Sequence, residues 1–366
     1  LWTTLNELVG HHQEFAHTDW AMPKDVVDVL CEVRERFAPG DSIDRHAWLF
    51  RSHAPSLGIR RHGDSVEYQK ALATQRGAAV TAIYEDHGLE GLLNLASRLE
   101  APGFLGASLA AAATAVDPED VVRLLDSNAE KEVLFATGFV RRQSAGEAEW
   151  LVSRAKAYVD RPLLQARLLL CCDDLDVAWT SALELGPDVD EAYWDEFSGY
   201  GRGEDFDRVN EVAAKLLAHG RAAAALDFLA VYSYREPDSI DAMLVADGLD
   251  AVLAGNDREI ALLASYDFPR LLEVLRESSL DAERVALLEW KLLPATNMGV
   301  GPAAATLERK LSQDPEFFVE IVSLCFKSRD SDEDFDTPAH VAQNAYRLLD
   351  HWSHVPGSDE PGASVD

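Results

Sequence analysis

Long hydrophobic runs are missing from this sequence. No apolar stretch approaches the ~18 residues that cross a bilayer, and the nearest, Gly103 to Val116, is short and rich in Ala and Gly. No membrane span is expected, and no basic stretch leads into an apolar one as in a signal peptide. Cysteine is scarce, limited to Cys31, Cys171, Cys172 and Cys325. None stands in C-x-x-C spacing, so neither a zinc ribbon nor a thioredoxin-like pair is supported. Cys171 and Cys172 end the apolar run Leu168-Leu169-Leu170 and read as small buried hydrophobes. A reduced, cytoplasmic setting is the expectation.

Positive charge is scarce as well. The chain has 33 Lys+Arg against 64 Asp+Glu, a formal net charge of −31, and Lys supplies few of the cations. Nucleic-acid binding rests on clustered cations that release counterions, so nucleic acid is not an expected partner. An anionic membrane surface is excluded on the same ground. The short basic spots Arg60-Arg61-His62 and Arg141-Arg142 are flanked by acids or apolar helix and read as solvated faces. A field of this sign favours a partner with a basic surface, held less tightly as salt rises.

Sustained period-two alternation is absent, so strand-rich folds and doubly wound sheets fit poorly. The period present is helical. Val26, Val27, Leu30, Val33 and Phe37 share one stripe; so do Val209, Val212, Ala213, Leu216 and Leu217, and Phe317, Phe318, Ile321, Leu324 and Cys325. Helix starts are marked at Asp117-Pro118-Glu119, Asp314-Pro315-Glu316 and Thr337-Pro338. Ends are marked at His87-Gly88, Leu185-Gly186-Pro187 and His219-Gly220.

These signals predict a long series of helices, mostly of ~10–15 residues, joined by short turns. The spans run 24–37, 65–86, 88–100, 103–115, 118–126, 129–142, 145–159, 161–171, 173–184 and 188–197. They continue 206–219, 221–233, 238–253, 257–265, 268–277, 281–292, 302–312, 314–327 and 337–352, with a short helix near Arg45 to Phe50 inside the irregular stretch 38–63. The small residues of Arg221 to Leu229 suit a tight helix–helix contact.

At 366 residues the chain exceeds the ~250–300 at which one compact core stops growing. With 47% hydrophobic and 27% charged residues it can fill a core, so the choice lies between several domains and an elongated array. Short helices in series pack as antiparallel hairpins, and many hairpins in series stack. The expected fold is all-α: an α-solenoid of HEAT- or TPR-like hairpins with degenerate repeats, since no strict period stands out. The expected divisions are N-terminal helices and linker (1–63), a first helical half (64–198), a second half (199–357) and a disordered tail (358–366). The start at Leu1 without Met and the polar end from Ser358 suggest a segment of a longer protein.

No motif carries chemistry. Gly199-Tyr200-Gly201-Arg202-Gly203 lacks the G-x-G-x-x-G spacing of a dinucleotide loop, and Glu204-Asp205 would repel phosphate. Turn chemistry is the first reading, with Tyr200 and Arg202 as candidate protein contacts. Asp330 to Asp336 begins like a calcium loop, but Phe335 and Val341 stand where Gly and Glu are required. His11, His12, His46, His53, His62, His351 and His354 form no metal-ligand pattern and read as surface or satisfied interior residues. Gly40-Asp41-Ser42 and Gly63-Asp64-Ser65 read as helix caps, not nucleophile blocks. Trp150, Trp179, Trp194, Trp290 and Trp352 sit in helical stripes as core-filling rings. No catalytic residue, cofactor or metal is expected.

Several segments have a recognisable wording: Arg45 to Phe50, Glu191 to Phe197, Tyr200 to Phe206, His219 to Leu226, Leu288 to Pro294, Asp314 to Val319 and Tyr346 to Trp352. Together they resemble a helical-repeat region of long, poorly characterised bacterial proteins of the sensor and defence type. The resemblance runs over residues 45–357 and brings no catalytic residue with it. It implies a region that sits behind an NTPase or effector module, and no such module lies in these residues. The leading expectation is a non-enzymatic segment that binds a protein partner or regulates another module of its parent chain. An enzyme with an active site dispersed between helices is one alternative; a structural or oligomerisation scaffold is another.

Overall fold

The computed structural model describes residues 1–59, 65–112, 114–145, 147–198, 208–255, 268–294, 304–326 and 338–353. Among them the ordered elements are α-helices and short 3-10 turns, with no strand. The chain divides into two compact units, Leu1–Glu196 and Phe197–Asp366.

The first unit holds α1 (Trp2–Glu14), α2 (Lys24–Arg36), α3 (Ser42–His46), α4 (Ser65–Ser97), α5 (Gly103–Ala111) and α6 (Pro118–Val122). It continues with α7 (Glu130–Gln143), α8 (Ala148–Ala157), α9 (Pro162–Leu169), α10 (Leu175–Leu185) and α11 (Pro187–Glu196). The second holds α12 (Val209–Ala218), α13 (Ala222–Ser233), α14 (Ala242–Ala254) and α15 (Phe268–Glu277). It ends with α16 (Ala282–Leu292), α17 (Ala305–Gln313), α18 (Pro315–Cys325) and α19 (Ala339–Ser353).

Cap chemistry sets the starts. Asp117 accepts from the Glu119 N–H at 2.9 Å with Pro118 at N1. Asp314 accepts from the Glu316 and Phe317 N–H groups at 3.0 and 3.1 Å. Asp41, Asp174, Asp241 and Asp281 do the same for α3, α10, α14 and α16. Each such cap contributes about 1 kcal/mol. At the end of α12, Gly220 takes φ 69°, which aims its own N–H at the Leu217 carbonyl (3.0 Å) and that of Arg221 at Leu216 (2.9 Å). That pairing satisfies carbonyls the helix leaves open.

Neighbouring helices pack on one another within each unit: α1 on α2, α8 on α9, α10 on α11, α12 on α13, α13 on α14 and α18 on α19. The closest approach is α5 against α7. A methyl group at Gly106 would overlap the Phe135 carbonyl, and one at Gly138 would overlap the Gly103 carbonyl, so the absence of side chains lets the backbones touch. Gly248 similarly seats α14 over Leu226 of α13, the small-residue helix.

Arginines tie segments together through main-chain carbonyls. Arg76, 8% exposed on α4, donates to Leu49 (3.0 Å), Ser52 (2.9 Å) and His53 (3.3 Å) and lies over the Phe50 and Phe104 rings. Arg167 holds Leu125 and Ser127, and Arg141 holds Leu170. In the second unit Arg221 holds Phe197, and Arg270 holds Ser233.

The structure corrects some expectations. Helix α1 lies in a stretch expected to have none. It carries Trp2, Leu5, Leu8 and Val9 at helical spacing, and its buried positions also include the polar Asn6, His12 and Glu14. Helix α5 stops at Ala111, short of the expected 115, because Ala112 turns extended at ψ 148°. The break expected at His87-Gly88, by contrast, is present: Gly88 takes φ 65°, ψ −159°, so the stretch 65–97 is two helices meeting at a kink, the second ending at Ser97 rather than 100. The expected span 257–265 and Thr337 lie outside the described residues. Trp179 and Trp194 are buried against each other, whereas Trp150, Trp290 and Trp352 are half-buried.

Candidate functional site

Two concave features stand out, one in each unit. The first is a polar pocket of about 400 Å³ near the N-terminus. Helix α1 supplies Trp2, Asn6 and Gln13, and α2 supplies Arg34 and Glu35. Arg45 and His46 end α3, Trp48 and Leu49 follow in a 3-10 turn, and Gln75 comes from α4. Arg76, on the next position of α4, fixes the Leu49 carbonyl and so the height of the turn. The 51–59 loop is held against α1 by Ser56, whose hydroxyl donates to Glu14 at 3.1 Å.

The charges in the pocket are partly spent. Arg34 donates to Glu35 through Nε (3.2 Å) and Nη2 (2.8 Å) and to Asn6 Oδ1 through Nη1 (3.3 Å). Arg45 reaches the other Glu35 oxygen at 3.5 Å. His46 has no hydrogen bond or ion pair among the described residues. Burial first, and the Arg45 charge second, push its imidazole below the ordinary value, so it is neutral at pH 7. The expectation of a surface or satisfied histidine therefore fails at His46: it is half-buried and unpartnered.

The second feature is an apolar groove of about 400 Å³. Ala286, Leu287 and Trp290 on α16 face Phe317, Ile321 and Leu324 on α18, each set at helical spacing. Leu307 from α17 forms part of the floor, and Lys310 bridges to Glu283 (2.8 and 2.9 Å) over the Phe317 ring. Glu320 stands at the rim without an ion pair among the described residues, and Leu287 is 52% exposed.

Glu289 sets the spacing of these helices. It is 1% exposed, pairs with Arg276 Nε at 2.8 Å, and accepts from the Thr306 (3.0 Å) and Leu307 (2.9 Å) N–H groups at the start of α17. Ala304 offers no side-chain cap there, so a carboxylate from α16 does that work.

Asp41 caps α3, as the sequence implied for Gly40-Asp41-Ser42. The candidate contacts Tyr200 and Arg202, the Asp330–Asp336 acids, and Gly63 and Asp64 of the Gly63-Asp64-Ser65 block lie outside the described residues. Cys171 and Cys172 are buried, and all four cysteines are free. Among the described residues no group of three His, Cys, Asp or Glu could hold a metal ion, and no helix is long and apolar enough to cross a membrane. The pocket was missed because its walls come from residues 2–78, which only tertiary packing brings together; the indoles of Trp2 and Trp48 near Arg34 and Arg45 were the available signal.

Fold and sites define an all-helical chain with a polar pocket in one unit and an apolar groove in the other. No protein-family model, curated protein or solved structure matches it.

Proposed function

We propose that this chain is a non-catalytic protein-interaction segment of a larger bacterial protein, an α-solenoid of stacked antiparallel hairpins that holds a partner or another module of its parent chain. The observation that carries the reading is the groove between α16 and α18. Its exposed Leu287 and half-buried Trp290 and Phe317 leave apolar surface open to a guest. The packing of sequential helices supports the hairpin array, and the likeness of residues 45–357 to bacterial helical-repeat regions supports the parentage.

The occupant is an amphipathic helix with apolar anchors at i, i+3 or i+4, and i+7, the pattern that fits a hydrophobic groove. It carries Arg or Lys beside those anchors, because Glu320 is unpaired at the rim and the chain has a net charge of −31. Selection of displayed helical peptides on the purified chain tests this. Enriched peptides should share the anchors and basic flank, bind more weakly in high salt, and lose at least about tenfold in affinity to Leu287→Asp. Enrichment of acidic or patternless peptides, or binding indifferent to Leu287→Asp, would overturn it.

A further inference from the structure

The N-terminal pocket runs against the charge of the chain around it. Among its lining residues two guanidinium groups, Arg34 and Arg45, meet one carboxylate, Glu35, with the buried Glu14 carboxylate behind Ser56, so cations are concentrated here in a chain of net charge −31. Arg34 makes three hydrogen bonds, two to Glu35 and one to Asn6, whereas Arg45 makes a single 3.5 Å contact and keeps more donors to spare. Asn6 is 7% exposed; its Oδ1 accepts from Arg34, and its amide N–H₂ has no partner among the described residues. The Trp48 indole N–H and His46 have no partner among the described residues, and neither does Gln75 at the mouth. The Trp2 indole N–H on the pocket wall is buried without a partner among the described residues, and such a donor costs free energy unless something fills the role.

Donors outnumber acceptors here, and flat indole faces stand beside them. We infer that this pocket binds a small planar organic anion, its carboxylate or phosphate held by Arg45 and the Asn6 amide and its ring against Trp48. A volume of about 400 Å³ lies within the range of small-ligand sites. Guanidinium groups suit both oxyanions because their parallel N–H bonds match two oxygens at once. This inference is independent of the groove and its partner.

The test follows indole N–H signals by NMR in ¹⁵N-labelled full chain, with Trp48 assigned by Trp48→Phe. The probes are nicotinate (a planar carboxylate), AMP (a planar phosphate), nicotinamide (planar and neutral) and inorganic phosphate (charged, without a ring). One or both planar anions should shift the Trp48 signal with Kd below about 1 mM, and which one does so separates the carboxylate from the phosphate source. Nicotinamide and inorganic phosphate should bind at least about tenfold more weakly, and Arg45→Ala and Gln75→Glu, both exposed positions, should each weaken the anion by about tenfold. Circular dichroism checks that both variants keep their helix content. No Trp48 shift with either planar anion at about 5 mM, equal binding of nicotinamide, or unchanged binding to a folded Arg45→Ala would overturn the inference.

Discussion

Replacing Glu289 with Ala removes a buried carboxylate that holds Arg276 on one side and the first N–H groups of α17 on the other. Arg276, whose side chain is 15% exposed, would be left as a buried cation without its counter-charge. Breaking a buried pair in this way costs about 3–5 kcal/mol. The orphaned Thr306 and Leu307 donors overlap with that loss rather than adding to it in full, so the expected total is about 4 kcal/mol. The double variant Arg276→Met/Glu289→Leu removes both charges and leaves only the backbone donors unpaired, so it should cost less, about 2 kcal/mol. Urea unfolding followed by tryptophan fluorescence measures both, and amide exchange at Thr306 and Leu307 reports on the cap directly. A loss under about 1 kcal/mol for Glu289→Ala would refute the account of Glu289 as the residue that seats α17. A double variant as unstable as the single one would refute the share given to the ion pair.

Gly106→Ala should destabilise by about 3 kcal/mol or more, since the obstacle is the Phe135 main chain, whereas Gly40→Ala, with open space around it, should change stability little; equal urea midpoint shifts would contradict the close crossing of α5 and α7. Because His46 is held below its ordinary pKa in the fold, the unfolded chain takes up its proton first. As pH falls below about 6.5 that contribution to stability is lost, and a His46→Gln variant should lose less between pH 7.5 and 5.5 than the parent, as thermal melts would record. Burial first, and the hydrogen bond to Glu119 second, push the Tyr158 phenol up to about 12. Its stabilising contribution is therefore full below about pH 10 and disappears as pH rises towards 12, and Tyr158→Phe should delete one late tyrosinate from an absorbance titration.

Local chemistry made much of the fold readable. An Asp two or three residues ahead of a free N–H specifies a helix start by itself, which is why Asp117 and Asp314 marked α6 and α18. The stripe from Phe268 to Glu277 gave α15 its observed bounds. Helix α1 was legible in part, since Trp2, Leu5, Leu8 and Val9 keep the helical period, but the burial of Asn6, His12 and Glu14 was not, because segments folded over them from elsewhere in the chain cover them. Glu289 has the same character. In sequence it is one acid between Leu288 and Trp290, and only the arrival of α17 from residue 305 turns it into a cap.

The charge count was legible, but its distribution was not. Arg76, Arg141, Arg167, Arg221 and Arg270 donate to main-chain carbonyls, several at the ends of helices, where the backbone carries partial negative charge. The side chains of Arg167 and Arg270 are mostly covered, and Arg76 almost wholly, so part of a small cation supply is turned inward. The face presented to a partner is thus more acidic than an even spread of −31 implies. Arg45 differs in its surroundings: it lies at the surface, holds one carboxylate loosely, and lines a pocket with the Trp48 indole and the Asn6 amide. Composition averages such a residue away, because the sign of a pocket depends on which few charges converge there.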